Sequence, residues 1–287
     1  MSKKPYDFLS TDKEPLLYFD KSKIVMKDGM LVSLNENGII NIPPSSILIM
    51  MLGYGTSITQ EAAIFSAEND MQIAFVKAGI NVHSFFMSGR YKNPIGLVNQ
   101  VNWQQTKKLE IAKKLMLIRF TFSKDFDIKH LNFVNSVDNI EELILYEARW
   151  IKNLYKSYCY MYKINDFKRD FSKNDKINER LNILNNVMYN LTTAVILSCG
   201  GEPSIGFIHG YTRRGGLTFD IADIFKPNLV LDISFKSNKN DIKKDMYLLF
   251  NEIKKQNVVK NMVKVTLAIV SNNMEELDKL IDYNNFK

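Results

Sequence analysis

Four side chains in the second half of this sequence have the types and spacing to hold a divalent cation: Glu147, His209, Asp220 and Asp223. Glu147 falls on an apolar stripe that Ile140, Ile144, Ile151, Leu154 and Tyr158 draw at helical spacing. An ionised carboxylate facing a core is costly unless a metal, an arginine or a raised pKa compensates it. The alternative is a boundary residue that reaches water or pairs with Arg149 or Lys152. His209 ends the apolar run Ser204-Ile205-Gly206-Phe207-Ile208-His209-Gly210, which follows a helix stopped by Gly200, Gly201 and Pro203. A neutral imidazole delivered there is a natural ligand for a divalent ion, although a satisfied structural histidine leaves the same pattern. Asp220 and Asp223 stand at i, i+3 in Phe219-Asp220-Ile221-Ala222-Asp223-Ile224-Phe225-Lys226-Pro227, on one helical face. Paired carboxylates invite a cation; they also complement a helix N-terminus.

Together the Glu, the His and the Asp pair form a hard-oxygen set with one nitrogen donor, suited to Mg²⁺ or Mn²⁺ rather than to structural zinc. A basic stretch, Tyr211-Thr212-Arg213-Arg214-Gly215-Gly216, precedes the aspartates and Lys226 follows them. An acidic centre with a basic rim belongs to phosphodiester chemistry, in which a metal polarises a phosphoryl oxygen and cations hold the backbone in line. Arg213, Arg214 and Lys226 are the expected DNA contacts. His83 and His130, in an expected strand and an expected loop, have no place in this set. Tyr155, Tyr158 and Tyr162 recur at helical spacing and read as core packing rather than a base-stacking row.

The elements that must position these groups change character along the chain. From Pro15 to about Phe86 the pattern is extended: Leu16–Phe19, Ile24–Met26, a Lys27-Asp28-Gly29 turn, Met30–Leu34, a turn at Asn35–Gly38, and Ile39–Ile42 stopped by Pro43-Pro44. One helix interrupts, with Ser57-Ile58-Thr59-Gln60 in capping-box form, before Gln72–Val76 and Ile80–Phe86 resume strand character. Beyond Gly89 and Pro94 the periodicity is helical, with helices expected near 102–122, 138–162, 177–199, 218–225 and 241–256, and a last one beginning at Asn273. The tract from Lys163 to Lys176 is polar and reads as a loop or helix entry.

A chain of 287 residues exceeds one typical core, so two domains are expected. Hydrophobic residues at 46% and charged residues at 24% exclude a disordered chain. The longest unbroken apolar run, Ile47 to Leu52, is far short of a membrane helix, and residues 1–11 lack a signal-peptide core; a cytoplasmic location is expected. Cys159 and Cys199 have no metal or redox spacing and read as reduced thiols. The net charge of +7 fits a polyanionic partner, or a lysine-rich solvated surface.

Four segments carry a resemblance to a known family: Leu52-Gly53-Tyr54-Gly55-Thr56-Ser57-Ile58-Thr59-Gln60, Glu147-Ala148-Arg149, Gly206-Phe207-Ile208-His209-Gly210 and Phe219-Asp220-Ile221-Ala222-Asp223. In order and spacing they resemble the CRISPR-associated spacer-acquisition integrase, the first of the two universal CRISPR adaptation proteins and a part of antiviral defence. Thr212-Arg213-Arg214-Gly215-Gly216-Leu217 most resembles the I-F branch, although the chain is compact between Gly89 and Asp138 for that branch. The resemblance implies an α+β fold, with a mainly β dimerisation domain over 1–92 and an all-α catalytic domain over 93–287. It implies homodimers that clamp the second adaptation protein, which the I-F branch carries fused to a helicase-nuclease. Glu147, His209 and Asp223 would ligate Mg²⁺ or Mn²⁺, and Asp220 would be a supporting acid. The 3′-hydroxyl of a captured DNA fragment would attack a phosphodiester of the CRISPR repeat, a transesterification. Two alternatives stand beside it: a metal-dependent DNA endonuclease that uses water in the same site, and a non-catalytic DNA-binding scaffold whose acids pair with Arg213 and Arg214.

Overall fold

The computed structural model describes residues 14–43, 47–77, 80–86, 94–165, 167–170, 175–209, 215–236 and 241–286. The chain is α+β and divides into two compact units, Met1–Lys92 and Asn93–Lys287.

In the first unit, Asp28 and Gly29 both take positive φ (50° and 75°), the conformation that a two-residue turn between twisted strands demands. They join β2 (Lys23–Lys27) to β3 (Met30–Asn35), which pairs onward with β4 (Gly38–Asn41). The second sheet consists of β1 (Glu14–Phe19), β5 (Ile47–Leu52), β7 (Gln72–Val76) and β8 (Val82–Phe86), in the order β1-β5-β7-β8. β1, β5 and β7 are parallel, and all six residues of β5 are buried, which is why that stretch reads as an unbroken apolar run rather than an alternation. Phe19, Met50 and Ile73 from this sheet share a core with Ile24 and Leu31 from the other and with Ala62 of helix α1 (Gln60–Glu68).

The capping signal expected at Ser57 is displaced. Ser57 and Ile58 form strand β6 alongside β2, with Ser57 N–H donating to the Ser22 carbonyl at 2.9 Å. Thr59 is therefore the N-cap of α1, its side chain accepting from Ala62 N–H at 3.4 Å. Sheet pairing takes the backbone that a cap at Ser57 would have used.

The second unit is helical: α2 (Ile95–Thr106), α3 (Lys108–Ser123), α4 (Ile128–Ser136), α5 (Ile140–Met161), α6 (Lys176–Ser198), α7 (Gly216–Lys226), α8 (Asp232–Lys236), α9 (Ile242–Lys255), α10 (Val258–Val270) and α11 (Met274–Asp278). The single helix expected near 102–122 is two, broken at Lys107, where φ is −133°. α10 carries no expectation: eight of its residues are buried, from Val258 to Val270, and its exposed polar face is only the narrow strip of Lys260 and Lys264. α7 runs without interruption into a π-turn over Pro227–Leu231 and then α8. Pro227 has no N–H to return to the Asp223 carbonyl, and the wider turn absorbs that gap. No described helix is long and apolar enough to cross a membrane.

His130, expected in a loop, lies in α4 behind the N-cap Asp127. Its ring stacks on Phe120 at 4.2 Å, and its nitrogens meet Tyr146 Oη at 2.8 Å and Asp125 Oδ2 at 3.1 Å. The His130 hydrogen bond, working against burial and helped by Trp150 Nε1 at 2.7 Å, holds the Asp125 carboxyl below its usual value. A depressed folded-state pKa stabilises the native chain above the unfolded carboxylate value of about 3.9 and is lost as pH falls through the folded value. Asp125→Asn is expected to unfold earlier than the parent in urea at pH 7, with the gap narrowing as pH falls below about 3.9; a gap that is absent at pH 7 or does not narrow in acid would contradict this account. Tyr155 and Tyr158 pack against Phe235, as their helical spacing predicts.

Candidate active site

The buried face of α5 is carried by Leu143 and Trp150, one position out of phase with the stripe anticipated through Ile144, which is 40% exposed. Glu147 lies four residues after Leu143 and three before Trp150, so it still faces inward. Its partner is neither Arg149 nor Lys152, both exposed on other sides of the helix, but Arg119 of α3. Arg119 is buried, its guanidinium lies 5.0 Å over the Trp150 ring, and Nη1 meets Glu147 Oε1. Burial pulls the Arg119 pKa down, but the charges of Glu147 and Asp223 more than restore it. Arg119→Met would leave Glu147 buried without its countercharge, and is expected to cost about 3–5 kcal/mol in metal-free urea unfolding. Unchanged stability would show that the pair is not needed.

His209 is placed by a segment with little secondary structure of its own. Gln100 of α2, fully buried, donates Nε2 to the carbonyls of Glu202 and Ile205 (2.8 and 2.7 Å) and accepts Glu202 N–H at 2.9 Å. The Pro203 carbonyl in turn accepts Leu217 N–H at 3.0 Å, which satisfies an orphan donor at the start of α7, where Gly215 offers no side-chain cap. Gly206 packs on Gly216 so closely that a Cβ would come 2.5 Å from the Gly216 carbonyl carbon. Only glycine lets the two backbones meet there.

Asp220, buried on α7, closes this assembly. Its Oδ2 accepts the N–H groups of Phe207 (2.5 Å) and Ile208 (3.0 Å), and its Oδ1 accepts His209 N–H at 3.0 Å and faces His209 Nδ1 at 2.8 Å. One carboxylate thus fixes three successive amides and the imidazole. With Nδ1 as donor to Asp220, Nε2 carries the lone pair that could bind a metal. Burial lowers the His209 pKa, but the hydrogen bond and charge of Asp220, with Asp223 and Glu147 behind it, lift it above the ordinary imidazole value.

One turn later on α7, Asp223 Oδ2 lies 4.0 Å from His209 Nε2, while Oδ1 is ion-paired with Lys226 Nζ. Burial raises the Asp223 pKa, but Lys226 foremost, then Arg119 and His209, hold the carboxyl below its usual value. Lys226, expected at the DNA surface, is turned inward instead: Nζ donates to Tyr189 Oη at 2.7 Å and lies 4.6 Å over the Tyr189 ring. Arg213 and Arg214 lie outside the described residues.

One ligand atom from each of Glu147, His209 and Asp223 falls within 4.8 Å of the others, and their side chains are only 12–15% exposed. Around an octahedral Mg²⁺ with donors at about 2.1 Å, cis ligands stand about 3.0 Å apart and trans ligands about 4.2 Å, so the three donors would draw together by roughly 1–2 Å, within the reach of side-chain rotation, to hold one ion. Asp223 Oδ1 is taken by Lys226, which leaves Oδ2, on the His209 side, as the oxygen that faces the other two donors. The donor set fits Mg²⁺ or Mn²⁺. Sequence reasoning missed Arg119, Tyr189 and Gln100. Arg119 left a signal, a lone cation after Leu115-Met116-Leu117-Ile118 in an apolar helix, which required a buried anion elsewhere.

The family model described as CRISPR associated protein Cas1 matches residues 17–262. A protein named CRISPR-associated endonuclease Cas1, from Clostridium sp. (strain SY8519), is 25% identical over 234 residues, which cover 79% of this chain and 74% of that protein. The crystal structure of TtCas1 superposes with a TM-score of 0.74 at 19% identity, over 90% of this chain and 98% of that one. A casposase bound to integration product superposes with a TM-score of 0.70 at 16% identity, over 90% and 91%. The family match runs from within β1 to within α10 and so includes the β unit, the Glu147 helix and the His209–Asp223 segment alike; the chain belongs to the CRISPR associated protein Cas1 family.

Proposed function

We propose that this chain is a metal-dependent DNA integrase of CRISPR adaptation, which joins 3′-hydroxyl ends of captured DNA fragments into the CRISPR repeat by transesterification. The observation that carries this reading is convergence: α5, the segment after α6, and α7 bring Glu147, His209 and Asp223 to within 4.8 Å at their ligand atoms. The likeness to a casposase bound to integration product supports joining rather than cutting alone.

Glu147, His209 and Asp223 would hold Mg²⁺ or Mn²⁺. When bound, the ion polarises the phosphoryl oxygen and activates the attacking hydroxyl. Asp220 is a positioning acid: among the described residues its side-chain hydrogen bonds go to Phe207, Ile208 and His209, and it leaves His209 Nε2 as the nitrogen that could bind the ion. Arg119 fixes Glu147 from behind. Arg213 and Arg214 are retained as the DNA contacts, with the net charge of +7 behind them. The first unit serves dimerisation: β4 is an edge strand on which Ile39 and Ile40 are 56% and 49% exposed, a surface suited to a second copy. The second adaptation protein would be the other partner, in its helicase-nuclease fusion if the Thr212–Leu217 stretch marks the I-F branch.

A strand-transfer assay with purified chain, partner, labelled 3′-hydroxyl duplex and repeat plasmid tests the proposal. Covalent joining that requires Mg²⁺ or Mn²⁺ is the expected result. Cut but never joined DNA would favour the endonuclease reading, which the name of the Clostridium relative supports. DNA binding with neither product and no bound metal would leave the scaffold.

A further inference from the structure

The two carboxylates of the site are neutralised by two buried cations of different character. Arg119 is fixed: its guanidinium is rigid, buried, and seated over Trp150. Lys226 is a compact charge on a flexible four-carbon stem, and it has two seats. One is Asp223 Oδ1, with which Nζ is ion-paired. The other is Tyr189, whose phenolic oxygen is 2.7 Å away and whose ring face is 4.6 Å away. A cation that leaves Asp223 is therefore not stranded.

Asp223 itself is a fork. Oδ2 looks toward His209 Nε2, inside the ligand triangle, while Oδ1 looks toward Lys226. A buried carboxylate with no countercharge is costly to the metal-free fold, a cost that an arriving divalent ion would relieve. We propose that Lys226 is a resident counter-cation: it holds the Asp223 carboxylate ready for a divalent ion and competes with that ion for it. The inference rests on the metal-site reading above, and it makes Lys226 a positioning residue rather than a surface DNA contact. Its consequence is opposite to that of a merely structural lysine. Removing a purely structural support loosens the site and weakens ion binding, whereas removing a competing positive charge strengthens it.

Mn²⁺ titration of the metal-free full chain, followed by electron paramagnetic resonance, separates the two, with melting temperatures taken in EDTA and in Mn²⁺. Lys226→Met is expected to bind Mn²⁺ about fivefold or more tightly than the parent, because one like charge has left the site. Lys226→Arg, which keeps the charge, is expected to stay within about twofold of the parent. In EDTA, Lys226→Met should melt below the parent, and Mn²⁺ should recover the difference. Parental or weaker affinity in a Lys226→Met protein that melts normally in Mn²⁺ would overturn the proposal and leave the metal site standing. Absence of a specific Mn²⁺ site in the parent, with Asp223→Asn indistinguishable from it, would remove both. If Lys226→Met does not fold, Lys226→Gln carries the same comparison.

Discussion

Alanine at Glu147, at His209 or at Asp223 is expected to lower strand joining by at least about 10³-fold each, more than the roughly 10–100-fold that loss of an outer metal partner costs. The three side chains come from separate elements and bring their ligand atoms within 4.8 Å of one another, so on this reading each would supply one donor to a shared ion. Effects within such a unit are not additive: the triple variant should be little worse than the worst single one. The folded state distinguishes the three. Glu147→Ala leaves buried Arg119 without its anion, and Asp223→Ala leaves Lys226 with Tyr189 alone, so both should lose stability. His209→Ala removes an imidazole whose Nδ1 partner, Asp220, still holds three amides, and should lose little. Measured joining rates and urea midpoints check both halves; a wild-type rate in any of the three would end the site assignment.

Asp220→Asn should produce the second-largest effect although Asp220 is not itself a proposed ligand. The acid accepts from three backbone N–H groups and from His209 Nδ1, and an amide has one oxygen where the carboxylate has two. At least one buried N–H of Phe207–His209 then faces an NH₂ group, a loss of roughly 1–3 kcal/mol. The imidazole also loses the acceptor that fixes its tautomer, and metal affinity should fall by about 10–100-fold. Isothermal titration with Mn²⁺ and urea unfolding report the two effects separately. Lower stability with unchanged affinity would show that Asp220 shapes the backbone but does not set the imidazole.

Local signals were legible wherever the physics is local. Asp28-Gly29 specifies its turn because few residue pairs tolerate two positive φ angles. Asn273 caps the last helix as its sequence suggests, accepting Glu276 N–H at 3.2 Å, because a cap needs only the next turn. The Ser57 cap failed because a strand 34 positions earlier in the chain claimed the same backbone, a competition invisible to a four-residue pattern. The helix α10 was missed although Lys260 and Lys264 stand exposed at i, i+4, because its β-branched run of valines, Thr266 and Ile269 reads equally well as a strand.

The acids and the imidazole as candidate donors, their helical or loop setting, and membership of the family could be read from the sequence, because residue types and short spacings are written there directly. Only the folded chain decided what stands behind each donor: Arg119 rather than Arg149 or Lys152 at Glu147, three backbone amides at Asp220, and an inward Lys226 at Asp223. Helical spacing states which side of a helix a residue occupies, but the countercharge of a buried acid arrives from another helix, through packing that no single segment encodes.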